Sequence, residues 1–290
     1  MKLKSIIEVA RPGFWSTQLW FFLLPLGGHR LLDHPGFWLG AFYATFPLGH
    51  LLYGWNDLAD YQTDRLNPRK GNLLFGAKLA PEQLRRLPLQ MMLVQLPFVM
   101  TFVWLVGVKV LLWFLGALLV NALYNWPGVG LKSRPFLDMA NQTGYVLLFV
   151  LSSWICNVPQ LPWPAFVFGA LFAMHSHLLG QMSDVEPDRV AGRHTTAVVI
   201  GVAKSKLLAG SLLLSEAWLI HDYFHSPTLV VFLLLAGVGF WGDCLWRGNQ
   251  TVSDQQLKWV LVAWNVVAVL SMYWVWREGV FVAGAESMSL

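Results

Sequence analysis

The stretch Asn56–Lys70, NDLADYQTDRLNPRK, follows directly on the apolar run Phe37–Trp55. Three aspartates and three cationic side chains crowd into fifteen residues at the point where that run ends. Asn56, Asp60 and Asp64 are spaced i, i+4, i+8, and Asp57 and Asp64 are seven apart, so two further helical turns would bring these oxygens onto one stripe. Carboxylates held that closely raise one another's pKa unless a divalent cation sits among them.

The surrounding chain says where this cluster stands. With 56% hydrophobic and 12% charged residues in 290, the chain has too little polar surface for a soluble globule of its size. Apolar segments of about 17 to 21 residues, the length that crosses a bilayer, recur throughout. Nine are read, at 13–29, 36–55, 88–107, 109–126, 138–156, 163–181, 201–221, 227–246 and 257–276. The expected fold class is therefore all-α, a polytopic membrane protein of nine transmembrane helices, in a single domain over 1–290. With a cytoplasmic N-terminus, seventeen of the twenty Lys and Arg fall on inner segments and three (Arg30, Lys109 and Arg277) on outer ones. That split satisfies the positive-inside rule and puts the C-terminus outside an inner (cytoplasmic) membrane. The net charge of +4 thus describes topology and gives no reason to expect a nucleic-acid partner.

The opening MKLKSIIEVARPGFW resembles a basic signal-peptide start, but Glu8, Arg11 and Pro12 interrupt it, so it reads as an amphipathic lead into the first helix. Cys156 and Cys244 are expected near opposite faces of the membrane, unable to bridge. LAPEQLRRL, in the long inner connection, reads as a short surface helix started by Pro81.

A second inner connection repeats the chemistry. SDVEPDRVAGRHTTA holds Asp184 and Asp188 at i, i+4 with Glu186 between them and Arg189 and Arg193 beside them, and both clusters end even-numbered helices on one face. Pro187 lies between the paired aspartates and removes a helix donor. Hard oxygen ligands in small number suit Mg²⁺ shared with a phosphate ligand, and adjacent Arg and Lys suit the charge of a leaving diphosphate. An isoprenoid tail could stay in the lipid while its diphosphate meets this cluster. Interfacial salt bridges explain one such cluster; two matched clusters on one face argue for use.

These residues resemble the UbiA superfamily of intramembrane prenyltransferases, whose signatures N-D-x-x-D-x-x-x-D and D-x-x-x-D read here as NDLADYQTD and DVEPD. LKSRPFLD, Leu131 to Asp138, is similar to the family's L-K-x-R-P segment, and ARPGFW to its R-P start. DYQTDRLNPRKG and DVEPDRVAGRHTTA look like the lycopene elongase branch. The resemblance implies a nine-helix bundle whose active site opens at the cytoplasmic face. It implies that Asn56, Asp57, Asp60, Asp64, Asp184 and Asp188 hold Mg²⁺ and through it a prenyl diphosphate donor. Lys132 and Arg134, with Arg11, Arg65, Arg69, Lys70, Arg189 and Arg193, would contact the diphosphate while a lipophilic acceptor, a carotenoid in that branch, attacks the allylic cation.

His50 and His177 each precede a motif aspartate by seven residues, about 10.5 Å deeper in the bundle. Two readings are open, an acceptor chamber with a base or satisfied packing histidines. His175, offset by two, should face elsewhere. Tyr124 and Asn125 are candidates for lining the site, although helix-to-helix hydrogen bonds are the ordinary use of Asn121 and Asn125. A terpene cyclase or an aromatic (quinone-precursor) prenyltransferase of the same superfamily would use the same metal site. A transporter would place its polar groups near the midplane, whereas here they gather at one face. The D-G-x-x-A-R string of CDP-alcohol phosphotransferases is absent.

Overall fold

The structure, a computed structural model, describes residues 3–29, 31–65 and 69–282. Lys2 and Arg30 of the charge split and residues 66–68 of the DYQTDRLNPRKG string lie outside it, as do the side chains of Thr63 and Asp254. Among the described residues all regular structure is helical, apart from one isolated bridge between Asn72 and Gly76. In chain order the helices are α1 (Leu3–Val9), α2 (Trp15–Leu23), α3 (Pro35–Ala59), α4 (Tyr61–Asp64), α5 (Pro81–Val106), α6 (Val110–Asn125), α7 (Leu137–Ala140), α8 (Leu147–Cys156), α9 (Trp163–Val190), α10 (Thr196–Ile200), α11 (Val202–Leu219), α12 (Pro227–Arg247) and α13 (Asp254–Glu278).

Proline opens and glycine closes many of them. Pro35, Pro81 and Pro227 stand at N1, where the missing N–H is no loss, and Gly107, Gly192, Gly201 and Gly248 follow helix ends with positive φ. Helices α5, α9, α12 and Gln255–Glu278 of α13 are long and apolar enough to cross a bilayer. Other apolar segments are broken: the first by 3₁₀ turns at Pro12–Phe14 and Leu24–Leu26, the fifth by one at Asn141–Val146, the seventh by a π turn at Ile220–Phe224.

Two expectations are corrected. LAPEQLRRL is not a separate surface helix but the first turns of α5, which continues through Pro88. The Gln83 side chain accepts the N–H of Ala80 at 2.8 Å, capping this start, and one interior proline costs a single ladder bond in a helix this long. In α6, Asn125 Nδ2 donates to Asn121 Oδ1 (2.9 Å) and to its carbonyl (3.2 Å), so the expected bond to another helix is made within one.

Large apolar side chains point outward, with Trp104 81%, Leu112 69% and Trp246 91% exposed, while Gln18, His50, Asp138 and Glu216 are wholly buried. That inversion is what a hydrocarbon solvent selects.

The chain divides into two compact units. The first comprises the chain up to Gly128, Leu147–Gln160 and Leu261–Glu278. In it α3 packs on α2 and α5, and Tyr43 is enclosed by Phe98, Phe102, Trp113 and Phe114. Asn265 of α13 accepts from Ser16 Oγ (2.7 Å) and donates to the Gly13 carbonyl (3.1 Å).

The second comprises Val129–Val146, Leu161–Val260 and the chain from Gly279. Here α11 lies against α9 and α12. A Cβ on Gly210 would sit 2.4 Å from the Trp241 ring and 2.8 Å from the Gly237 carbonyl, so the α11–α12 seam is a backbone-to-backbone approach that only glycine allows. Lys206 donates to the carbonyls of Gly248 and Gln250 and pairs with Asp243 at 2.7 Å, capping the end of α12.

Candidate active site

The acidic motif of the first unit hangs on α3, a helix with a proline inside it. Pro47 withholds a donor inside α3, and amides from two neighbours serve the carbonyls around it. Gln95 Nε2 donates to the Pro47 carbonyl (2.7 Å) and its Oε1 accepts from Tyr43 Oη (3.0 Å). Gln18, with its NH₂ turned toward α3, donates to the carbonyls of Ala44 and Thr45, each at 3.2 Å.

Helix α3 ends at Ala59, but its ladder continues. Asp60 N–H bonds to the Asn56 carbonyl (2.8 Å) and Asp64 N–H to the Asp60 carbonyl (2.9 Å). The expected two-turn extension is thus made with one break at Asp60, where φ is −102° and ψ 8°. Asp57 and Asp64 reach the same ammonium as a result. Lys70 Nζ is 2.9 Å from Asp57 Oδ1 and 2.8 Å from Asp64 Oδ2, and the Lys70 side chain is 7% exposed. Arg11 Nη2 donates to the same Asp57 oxygen at 2.7 Å, with its guanidinium 4.7 Å over the Tyr53 ring.

Arg11 and Lys70 are held by tight turns. Arg11 sits at φ 46°, and Gly13 N–H bonds to the Leu73 carbonyl at 3.1 Å. Asn72 folds the chain beyond Lys70: its Oδ1 accepts from Leu74 and Phe75 N–H, and its Nδ2 donates to the Arg69 carbonyl. Gly76 is required twice over, by φ +93° and because a Cβ would lie 2.9 Å from Arg11 Nε.

Burial and counter-charge compete at these acids. Burial holds the Asp64 carboxyl above the ordinary carboxylate range, and Lys70 only partly offsets it. Burial alone would lower the Arg11 guanidinium, but Asp57 and Asp64 more than reverse this and keep it protonated. Asp57 Oδ2 and Arg11 Nε are buried without a partner. Among the described residues no three acidic, His or Cys groups converge to form a cage. Mg²⁺ needs none, since one or two carboxylates plus phosphate oxygens and waters suffice, so this donor set fits it. A cleft lined by Asp57, Tyr61, Asp64, Arg65, Ala77, Lys78, Leu79 and Leu84 opens beside the acids. Arg69 lies 5.9 Å from the Phe75 ring, and Asn56 is half-buried. Deeper in α3, His50 is wholly buried against Phe46 with neither ring nitrogen partnered. Tyr124 and Asn125, on the last turn of α6, do not line the cleft.

In the second unit α9 runs through Pro187 to Val190, so Asp184 and Asp188 share one helix after all. The helix closes on Gly192 at φ +70°, with Arg193 N–H on the Asp188 carbonyl (2.9 Å) and Gly192 N–H on the Arg189 carbonyl (3.1 Å). This cap returns the Arg193 side chain to Asp188 Oδ1 at 3.3 Å, while Thr195 Oγ1 stands 3.4 Å from Oδ2. Arg189 instead pairs with Glu186 on the exposed face. Asp184 is half-buried. Lys132 lies on the 3₁₀ turn Leu131–Ser133, and Arg134 is exposed just after it.

Asp138, which ends the LKSRPFLD string, is the centre of this unit's polar network. Its Oδ1 accepts from Met139 N–H and the Thr196 hydroxyl, and its Oδ2 from Thr196 N–H (2.7 Å) and Gln181 Nε2 (2.6 Å). Gln181 Nε2 also lies 3.0 Å from His177 Nε2. His175 turns away, as expected, and its Nδ1 meets Glu216 of α11 at 2.6 Å. Tyr53, Asn72, Asp138, Gln181 and Thr196 are not among the residues that the motifs single out. The Asx turn in GNLLFG was a signal for Asn72, whereas nothing local announces the others.

Such a molecule is a helical membrane protein built to hold anionic and cationic groups together at the ends of its helices. The chain belongs to the UbiA prenyltransferase family, whose profile matches residues 14–267, and it is a prenyltransferase. A lycopene elongase/hydratase of Corynebacterium glutamicum is 27% identical over 271 residues, 91% of this chain and 92% of that one. One of Haloarcula japonica is 26% identical over 259 residues, 82% and 81% of the two chains. The fold matches a UbiA homologue of Archaeoglobus fulgidus solved with GPP and Mg²⁺, at TM-score 0.71 and 17% identity over 99% of this chain and all of that one. The same homologue with DMAPP and Mg²⁺ matches at 0.68 and 18% identity, over 93% and 96%.

Proposed function

We propose that this protein transfers a prenyl group from an allylic diphosphate to the end of a lipophilic acceptor of the linear carotenoid class, in a Mg²⁺-dependent reaction that releases diphosphate. The acid–cation cluster of Asp57, Asp64, Lys70 and Arg11 carries this reading, because it is chemistry for a metal–phosphate headgroup. The relatives' names supply the acceptor class.

Asn56, Asp57, Asp60 and Asp64, with Asp184 and Asp188, are the proposed Mg²⁺ ligands. Bound there, the ion would neutralise diphosphate oxygens as a Lewis acid. The chain's cations do the rest. Lys132, Arg134, Arg65, Arg69, Lys70, Arg189, Arg193 and Arg11 stabilise charge on the departing diphosphate as its C–O bond breaks and it takes the electron pair. The acceptor's terminal double bond then forms the new C–C bond. The resulting cation loses a proton to a base, or takes water that in turn loses one, giving an alkene or an alcohol. His50, buried beneath the acids, is the proposed proton acceptor, with His177, Tyr124 and Asn125 lining the acceptor's path.

We assign the whole chain 1–290 to one functional domain. It crosses the cytoplasmic membrane nine times with the N-terminus inside, the C-terminus outside and the diphosphate site at the cytoplasmic face, a topology supported by the cationic split.

Detergent-purified protein should be incubated with Mg²⁺ and dimethylallyl, geranyl, farnesyl or geranylgeranyl diphosphate, with and without lycopene or an aromatic acceptor. Mass spectrometry of the lipids should show prenylated carotenoid only when donor, acceptor and Mg²⁺ are all present. A cyclic hydrocarbon formed from donor alone would make the protein a cyclase, and a prenylated aromatic product would replace the acceptor.

A further inference from the structure

The Lys70 ammonium stands where an inorganic cation would be most useful. It bridges Asp57 Oδ1 and Asp64 Oδ2 at 2.9 and 2.8 Å, with little solvent around it. Two acids seven residues apart on a broken helix are drawn to one point by a single positive charge. Lys70 does not reach there on a loose tether, because the Asn72 turn, the Asn72–Gly76 bridge and the contact of Gly13 with Leu73 fix the segment against Arg11. Even so, the cluster is incompletely served. Asp57 concentrates both cations on one oxygen and leaves Oδ2 buried with no partner.

We propose, building on the metal–diphosphate reading above, that Lys70 is a resident counter-ion of the acidic motif: it closes the motif in the metal-free protein and yields its carboxylates to a divalent cation only when a diphosphate arrives to receive the displaced ammonium. The argument is one of paired charges. A divalent ion arriving alone must expel an ammonium from two carboxylates and leave it in a poorly hydrated place without an anion, which is costly. A diphosphate arriving alone meets carboxylates whose counter-ions are already engaged. Arriving together, the metal takes the carboxylates, the diphosphate takes the ammonium, and every charge keeps a partner. Metal and diphosphate binding are therefore coupled, and the coupling is reciprocal. The two ligands are admitted as a pair, which keeps a stray divalent ion from occupying the motif before substrate is present.

The test uses the full-length protein in nanodiscs, with Mn²⁺ as the metal probe followed by electron paramagnetic resonance, and inorganic diphosphate as the anion. In the wild type, saturating diphosphate should tighten Mn²⁺ binding by about tenfold or more, within the usual range of coupling between sites. In Lys70→Met, Mn²⁺ alone should bind about tenfold tighter than in the wild type and the coupling should shrink by about the same factor, the remainder coming from direct metal–phosphate contact. Thermal unfolding gives a second readout. The metal-free variant should melt below the wild type, and Mn²⁺ alone should raise its melting temperature more than it raises that of the wild type. Should Lys70→Met not fold, Lys70→Gln carries the same comparison. An unchanged or weaker affinity for Mn²⁺ alone in the variant overturns the counter-ion role while leaving the metal–diphosphate reading intact. Failure of the wild type to bind Mn²⁺ even with diphosphate overturns both.

Discussion

Asp138 accepts both the backbone N–H and the side-chain hydroxyl of Thr196. One buried carboxylate thereby ties the start of α10 to the segment LKSRPFLD, and through Gln181 to α9. Thr196→Val keeps the shape and removes the hydroxyl, leaving Phe136 N–H as well without its acceptor. A loss of about 1.5–3 kcal/mol is expected for the bond to a charged group. Denaturant or thermal unfolding of the second unit's helices checks it. Asp138→Asn should cost more, because a donor NH₂ would face Gln181 or Thr196.

Asp184→Asn should lower turnover by about a hundredfold or more while leaving the helical circular dichroism unchanged, if the carboxylate serves the metal as proposed and so matters more to the transition state than to packing. Asp57→Ala is a poorer test of the same role. It takes from Arg11 its carboxylate and leaves Lys70 with Asp64 alone, and breaking a buried pair costs about 3–5 kcal/mol in fold stability. Activity that persists in excess EDTA would refute the Mg²⁺ role for all six proposed ligands.

His50→Leu tests the two readings of the buried imidazole. With neither nitrogen partnered, the fold gives up no hydrogen bond and the melting temperature should hold or rise. Prenylated product should nonetheless fall relative to released diphosphate, as cations formed from the donor fail to finish transfer. A wild-type ratio of product to diphosphate would make His50 a packing residue.

Val190→Cys, in a chain whose Cys156 and Cys244 are replaced by Ser, reports topology. Val190 is 82% exposed at the last residue of α9. The reagent should label it in opened membranes and not from outside intact cells. Labelling from outside would invert the proposed orientation.

Much of the site was legible in the stretch from Asn56 to Lys70, because aspartates at helical spacing state their geometry locally. The engagement of Lys70 with those same acids was not, since it depends on Asn72 folding the chain back by bonds to three residues. Helix edges are misread at Pro88 and Pro187, though not at Pro47, which the span 36–55 runs through. A proline withholds one donor, and a helix survives that where its ladder is long, as at Pro88 and Pro187, or where amides from other helices serve the carbonyls, as at Pro47. Asp138 read as the tail of a basic string because its four donors come from sites up to 58 residues away.

The glycine seam between α11 and α12 fixes how closely those two helices approach. With Gly210 against the Gly237 carbonyl and Trp241 closed over Gly210, any side chain inserted between the two would collide with backbone or with an indole that is itself bonded to the Leu207 carbonyl. The pair is closed along this contact, with no room for a side chain between the two backbones. A lipophilic acceptor of the proposed kind would find no passage at this contact, and bulk added at Gly210 would spread the two helices rather than block a doorway.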